Sequence, residues 1–407
     1  MNTKSFSYLS FLLVLMPLFE AYTIGGVMLS VIFTALLILY CVLFRENVLI
    51  FKYKSRAFLL YALLVPNIVA LTLGYIEYIR SSITLVLIYA CWQCLVIPKL
   101  NIKKVLVYYR VLVYICCGFL IVQEIMYGLL GYRVSGLIPF LPIIYSDISS
   151  SEMIEYQMHF SRSSSFFLEP AHMAEFIIPY LAITLGRHDS TLTLKNMVEP
   201  LIISVILFFL RSGCGVVCTA FIWLFYLFNI RIHLKKKILL ILFSTLIGII
   251  LLIQLASTEV GIELLGRTTE LDVNNNTVNS GGIRIYRGFF VFDDTSLYQQ
   301  IFGVGTGGAI NTIENSKYFY MFFDNERYLN NVQMLLIGYG YLGTMLFLCH
   351  LKSLYTNNLL AGKLILLSFV ILCFLENFFM TSKMIFYVSL IFLFKDMASK
   401  KKSIVEF

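Results

Sequence analysis

The chain has 407 residues, of which 59% are hydrophobic and 13% charged, about half the charge density of an average soluble domain. That composition excludes a disordered chain, a collagen-like fibre and a disulfide-stapled secreted module. A mean hydropathy of +0.84 over the whole length calls for a bilayer as the surrounding solvent. The net charge of +8 is then read first as a topology signal, and no nucleic-acid partner is expected.

Apolar runs bounded by charges predict twelve transmembrane helices, near 6–23, 25–44, 57–76, 81–98, 104–130, 166–186, 198–211, 214–231, 238–257, 331–350, 359–378 and 382–395. The expected fold class is an all-α polytopic membrane protein, a single integral membrane domain over 1–407. The first run follows Lys4 as a signal peptide would, yet Glu20 and Tyr22 stand where small residues would mark cleavage, so it is read as an anchor. All nine cysteines fall in or beside apolar runs. Cys91 and Cys94 form a C-x-x-C with no second pair, which reads as helix packing, and no metal is expected.

With the amino terminus in the cytoplasm, the inner segments carry 20 Lys and Arg residues and the outer segments ten, which places both termini inside. The kinds differ as well. Sixteen of the twenty inner charges are Lys, whereas eight of the ten outer ones are Arg: Arg80, Arg133, Arg162, Arg211, Arg267, Arg284, Arg287 and Arg327. Outer Arg opposes the insertion rule, and its rigid fork of donors suits carboxylate or phosphate. Ordinary loop salt bridges are the plainer alternative. Two outer segments exceed a turn, 131–165 and 258–330, and a structureless loop of the second one's length is uncommon, so partial helical order or function is expected there.

Arg162-Ser-Ser-Ser-Phe-Phe-Leu-Glu169-Pro170-Ala-His172-Met-Ala-Glu175 leads from the outer side into the sixth run. Pro170 suits a first helical turn, and Glu169, His172 and Glu175 then recur every three residues along one side. Ionisable groups in a membrane helix cost a few kcal/mol and usually face a cavity. Arg162 and Glu169 are therefore candidates for chemistry, with His172 and Glu175 beside them. The alternative is that Glu169 caps the helix and Glu175 pairs with a neighbouring Arg.

From Pro200 to Ile230 the chain is apolar except for Arg211-Ser-Gly-Cys-Gly215 and Asn229. As one helix it would run about 45 Å against a core of about 30 Å, so a hairpin is expected. The first arm is only about 17 Å, which sets Arg211 at or below the outer surface, a candidate site residue unless it snorkels to headgroups. In the large loop, Gly281-Gly-Ile-Arg284-Ile-Tyr-Arg287 places two Arg at i and i+3, on one face if helical. Gly303-Val-Gly305-Thr-Gly307-Gly308 imitates a dinucleotide fingerprint without its strand–helix context and reads as a turn. Asp293-Asp294 lacks the spaced third ligand of a metal site.

These features together resemble the O-antigen polymerase family (Wzy type), within the superfamily that includes the O-antigen ligases. The resemblance rests on R-x-x-x-F-x-x-E-P at 162–170, Arg-Ser-Gly at 211–213, the Arg-bearing outer loop, G-x-G at 303–305, and Asn330-Asn331 followed by Gly338-x-Gly340-x-x-Gly343. It implies a metal-independent glycosyltransferase with a GT-C-like fold in a bacterial inner membrane, its active site periplasmic, without cofactor. The donor would be a glycan on undecaprenyl pyrophosphate and the acceptor one repeat unit on the same carrier, with a polysaccharide chain-length regulator as the protein partner to consider. Arg284, Arg287, Arg211 and Arg162 would bind pyrophosphate, and Glu169, Arg162 and Arg284 would form the catalytic group. His172, Glu175 and Asn331 would face the acceptor.

One departure stands out. Ligases of the superfamily carry a His-Asn pair before the late outer helix, where this chain has Tyr328-Leu329-Asn330-Asn331. The ligase reading, transfer to lipid A core, is weakened by it. A lipid-linked glycan flippase would need short outer loops, and a small-solute transporter usually has repeated halves, which are not found.

Overall fold

The computed structural model describes residues 5–43, 56–144, 149–159, 162–187, 194–230, 281–322 and 328–405. Helix α1 (Ser5–Leu15) runs into a 3-10 turn at Met16–Phe19. A short hairpin of β1 (Thr23–Ile24) and β2 (Val27–Met28) then reverses the chain into α2 (Leu29–Leu43). Helices α3 (Arg56–Thr72) and α4 (Ile76–Cys91) meet at a tight turn, and α4 continues as a π turn over Trp92–Val96 and a 3-10 turn over Ile97–Lys99. Helix α5 (Ile102–Leu130) starts where the Asn101 side chain accepts the Lys104 N–H. It stops at Gly131, whose left-handed φ of 75° suits a residue without Cβ.

After α6 (Ser150–His159) come α7 (Pro170–Gly186), α8 (Leu194–Phe209) and α9 (Gly213–Asn229). The later chain forms three helices between 281 and 314, α10 (Gly281–Asp294), α11 (Leu297–Phe302) and α12 (Gly305–Glu314). It ends in α13 (Asn331–Tyr355), broken at Gly340, then α14 (Leu360–Leu375) and α15 (Ser382–Val405). Capping boxes start two of these helices: Ser296 with Gln299 at α11, and Asn330 with Gln333 at α13.

Helices thus occupy the apolar runs of the sequence, except that the run at 238–257 lies outside the described residues. Ile76–Lys99, Ile102–Leu130 and Asn331–Tyr355 are each long and apolar enough to cross a bilayer. The fourth run begins earlier than its apolar pattern suggested: α4 opens at Ile76, so Arg80 is helical rather than part of a connection. Large apolar side chains stay exposed on the outward faces, among them Leu64 and Ile68 of α3, Val111 and Ile115 of α5, Phe209 of α8, Phe221 of α9 and Met345 of α13. Such a belt is foreign to a water-facing surface and suits lipid.

Helix α7 is the axis of the packing. It is buried from Met173 to Leu185 and lies against α5, α8, α9 and α14, an apolar helix covered on every side. Small residues bring it close to its neighbours. A Cβ on Gly186 would lie 2.4 Å from the Ala361 backbone at the start of α14, and one on Gly215 of α9 would lie 3.2 Å from Ala174.

The glycine-rich stretch at 303–308 is a turn only at Gly303 and Val304, becomes the start of α12 from Gly305, and forms a packing joint. A Cβ on Gly303 would meet the Gly338 carbonyl oxygen at 2.4 Å, and one on Gly307 the Tyr78 carbonyl oxygen at 2.3 Å. Only backbone fits between α12, α4 and α13 there. The Ser82 hydroxyl accepts the Gly307 N–H at 2.8 Å, and Tyr61 donates to the Phe302 carbonyl at 2.9 Å. Helices α10 to α12 are clamped onto the bundle, with a satellite core of Val69, Val291, Phe292, Val304, Ala309 and Ile313 beneath them.

Candidate functional site

The segment leading into α7 is held by buried polar side chains. Gln123 of α5 accepts the Ser165 N–H at 2.8 Å and donates to the Val134 carbonyl at 2.7 Å. Gln157 of α6 donates to the carbonyls of Phe167 and Leu168 at 3.0 and 2.9 Å. Ser165, at φ 54°, donates to the Cys116 carbonyl at 2.8 Å. Arg133, 2% exposed, sits over the Tyr127 ring, donates to the Ser163 hydroxyl at 2.8 Å and reaches Glu124 at 3.5 Å. The serine run is therefore a latch, and it fixes where Arg162 and Glu169 emerge.

Glu169 is the residue before the first turn of α7, extended (φ −135°) and exposed, and its side chain makes no capping hydrogen bond. His172 is half-buried and Glu175 is buried, so the three residues descend one side of the helix from solvent into the bundle. Arg162 donates to the Arg211 carbonyl at 3.1 Å, across the turn between α8 and α9. Arg211 takes a left-handed φ of 49° in that turn, which closes the hairpin expected from span length.

Glu175 meets a lysine rather than an arginine. Its carboxylate lies 2.7 Å from Lys383 Nζ of α15, and both side chains are almost wholly buried. Two further carboxylates share the field of that ammonium, Glu20 after α1 and Glu376 after α14. Ser382 donates to Glu20 at 3.0 Å. Tyr328 donates to Glu376 Oε2 at 3.3 Å, and Glu376 also feels the charges of Glu175 and Glu169. Glu20, Glu376, Lys383 and Tyr328 escaped the sequence reading because each sits at the edge of an apolar run and its partners are distant in the chain.

Arg287 of α10 is 3% exposed, and its fork is spent on the Tyr328 carbonyl, with Nε at 3.1 Å and NH2 at 2.7 Å, while its guanidinium lies over the Phe322 ring. It anchors the segment that carries the phenol. Arg284 lies in the first turn of the same helix, and its side chain falls outside the described residues. Asn331 is fully buried. Its Nδ2 reaches Cys373 Sγ, its Oδ1 accepts the Phe378 N–H at 2.8 Å, and its backbone N–H donates to the Glu376 carbonyl at 3.0 Å. It therefore fixes the turn after α14 from beneath.

The structure thus brings Arg162, Arg211, Glu169, His172 and Glu175 together with the unforeseen Glu20, Glu376 and Lys383 at one end of the bundle. An exposed and a half-exposed carboxylate, Glu169 and Glu376, stand above a buried ion pair. Such an arrangement offers a proton acceptor and a guanidinium-bearing rim within a water-poor setting. No family model and no curated protein matches the chain.

Proposed function

We propose that the chain is a surface-polysaccharide polymerase of the O-antigen type. It is a glycosyltransferase with twelve spans and a GT-C-like fold, placed in the bacterial inner membrane with both termini in the cytoplasm. The reaction occurs at its periplasmic face. The growing glycan leaves undecaprenyl pyrophosphate and joins an incoming lipid-linked repeat unit. The observation that carries this reading is the convergence, at one end of an apolar helical bundle, of Arg162 and the Arg211 turn with Glu169, His172 and Glu376 over the buried Glu175–Lys383 pair.

In the reaction the bond between the donor sugar's anomeric carbon and the pyrophosphate oxygen breaks, and its electron pair departs with the pyrophosphate. The acceptor oxygen bonds to that carbon and gives its proton to a carboxylate of the site, with Glu169 the residue marked by sequence. Guanidinium groups of Arg162, Arg211 and Arg284 neutralise the leaving group's charge where it develops. Arg287 acts behind them, through its grip on Tyr328.

The test is chain growth by the purified protein in lipid with synthetic undecaprenyl-pyrophosphate repeat units and a metal chelator, products separated by size. A ladder of oligomers is expected, and Arg284→Ala should lower its rate by about a hundredfold, the scale of one lost transition-state donor. Full activity of Arg284→Ala would remove that residue from the pyrophosphate site. Transfer to lipid A core without a ladder would make the chain a ligase.

A further inference from the structure

We infer that Glu376, held by the phenol of Tyr328, is the group that takes the proton from the acceptor hydroxyl. The inference rests on the polymerase reading above and names the base within that site.

The carboxylates of this end differ in what they are free to do. Glu175 is buried, and its carboxylate is committed to Lys383 at 2.7 Å. Glu20 accepts from Ser382 beside the same lysine. Glu169 stands exposed at the rim, where water competes for any proton it would take. Glu376 is half-exposed, and among the described residues no cation lies within ion-pair distance of its carboxylate. One oxygen, Oε2, accepts from Tyr328 at 3.3 Å. Its other oxygen is the one left to meet an incoming hydroxyl.

Preorganisation points the same way. The Glu376 backbone is tied on both sides, its N–H to the Leu372 carbonyl at 2.8 Å and its carbonyl to the Asn331 N–H at 3.0 Å. The Tyr328 phenol is fixed in turn, because Arg287 grips the Tyr328 carbonyl with two donors, and its one O–H is shared between Glu376 Oε2 at 3.3 Å and the Leu375 carbonyl at 3.2 Å. A base held to within about half an ångström by groups that are themselves locked loses little on reaching its transition-state geometry. The groups facing Glu376 are Glu169 and Glu175 of α7, Lys383 of α15, Cys214 and Cys218 of α9 and Tyr328. Lys383 offsets part of the negative charge that Glu169 and Glu175 set around Glu376.

In the step itself, the acceptor O–H bond breaks toward Glu376 as the acceptor oxygen bonds to the anomeric carbon. The sugar–pyrophosphate bond breaks with its electrons leaving on the pyrophosphate, and Glu376 ends protonated.

The experiment uses the full-length protein in lipid with synthetic undecaprenyl-pyrophosphate repeat units, comparing wild type, Glu376→Gln, Glu376→Asp, Tyr328→Phe and Glu169→Gln. Transfer rate is read over a pH series, with binding of fluorescent undecaprenyl pyrophosphate and thermal unfolding read in parallel. Glu376→Gln should lose a hundredfold to ten-thousandfold in rate, the span of general-base catalysis, with carrier binding and unfolding temperature held. Glu376→Asp should recover part of that loss. Tyr328→Phe, which removes a hydrogen bond to the ionised carboxylate, should move the acid limb of the pH–rate profile to higher pH. That shift separates positioning from mere folding.

A Glu376→Gln protein that folds, binds carrier and keeps more than half the rate overturns the inference. So does finding the rate loss in Glu169→Gln instead. If Glu376→Gln does not fold, an unmoved acid limb in Tyr328→Phe overturns it. If wild type forms no ladder at all, the polymerase reading fails first and takes this assignment with it.

Discussion

Among the described residues Lys383 is the ammonium that Glu20, Glu175 and Glu376 share, so its removal is the most informative perturbation of the site. At 2.7 Å the Glu175–Lys383 attraction is about 6 kcal/mol with an effective dielectric of 20. Desolvating two ions costs several kcal/mol each, so the pair as a whole is near neutral for stability. Breaking it from one side is not, because an uncompensated buried charge remains, at a cost of about 3–5 kcal/mol. Lys383→Met should be the worst single change, since it leaves three carboxylates facing one another. Glu175→Gln should cost less, because Lys383 keeps Glu20 and Glu376 as counter-charges. The double variant should be more stable than Lys383→Met and than the sum of the two single effects, by at least about 2 kcal/mol of coupling. The assay is thermal unfolding of the purified protein in one detergent, read by intrinsic fluorescence, completed as a double-mutant cycle. A Lys383→Met protein that unfolds with wild type, or strictly additive effects, would refute the buried-pair argument.

Three other outcomes follow from the same structure. Arg133→Met should destabilise by about 2–3 kcal/mol and open the 131–165 segment to limited proteolysis, and Arg133→Lys should not rescue it, since a lysine cannot serve Ser163 and Glu124 while lying flat over Tyr127. Gly303→Ala combines a positive φ of 75° with a backbone oxygen 2.4 Å from the new Cβ and should prevent a monodisperse protein, whereas Gly118→Ala in α5 meets nothing within 4 Å and should leave unfolding unchanged or slightly later in size-exclusion and melting runs. Asp294 is held below the usual carboxylate range by the Lys317 side chain and N–H and by Ser316. The folded form binds this proton more weakly than the unfolded, so its contribution is present above about pH 3.9 and is lost as the pH falls through the folded value. Asp294→Asn should therefore differ from wild type in melting at neutral pH and converge with it only as the pH falls below the folded value.

What the chain reveals on its own is its local physics. The Arg211 turn follows from span length alone, because an unbroken helix from Pro200 to Ile230 cannot fit a bilayer. The descent of Glu169, His172 and Glu175 along α7 follows from three-residue spacing after Pro170, whereas the 303–308 glycines, expected as a turn, open α12 from Gly305 because close packing on α4 and α13 leaves room only for backbone. Pairing across distance is what a single sequence hides. Spacing marks Glu175 as a candidate, with pairing to a nearby arginine as the alternative, while the structure supplies Lys383 from a helix near the far end of the chain. Glu376 and Glu20 look like the ragged ends of apolar runs until α14 and α1 deliver them to the same place. Arg287 shows the same limit: its helical face was legible, but its commitment to the Tyr328 carbonyl depends on a segment some forty residues later. Nothing in the spacing of Ser163, Ser164 and Ser165 shows a fixed role, and only their partners Arg133, Gln157 and Gln123 make them a latch.

The measurement that bears most directly on the account is stoichiometry in proteoliposomes supplied only with synthetic undecaprenyl-pyrophosphate repeat units and a chelator. Glycosidic bonds formed and free undecaprenyl pyrophosphate released would be counted together. The account predicts a ladder in which each new bond accompanies one released carrier, with both quantities falling in step in the Arg284→Ala and Glu376→Gln proteins. Carrier moving between leaflets with no bond formed, or no carrier released at all, would contradict it.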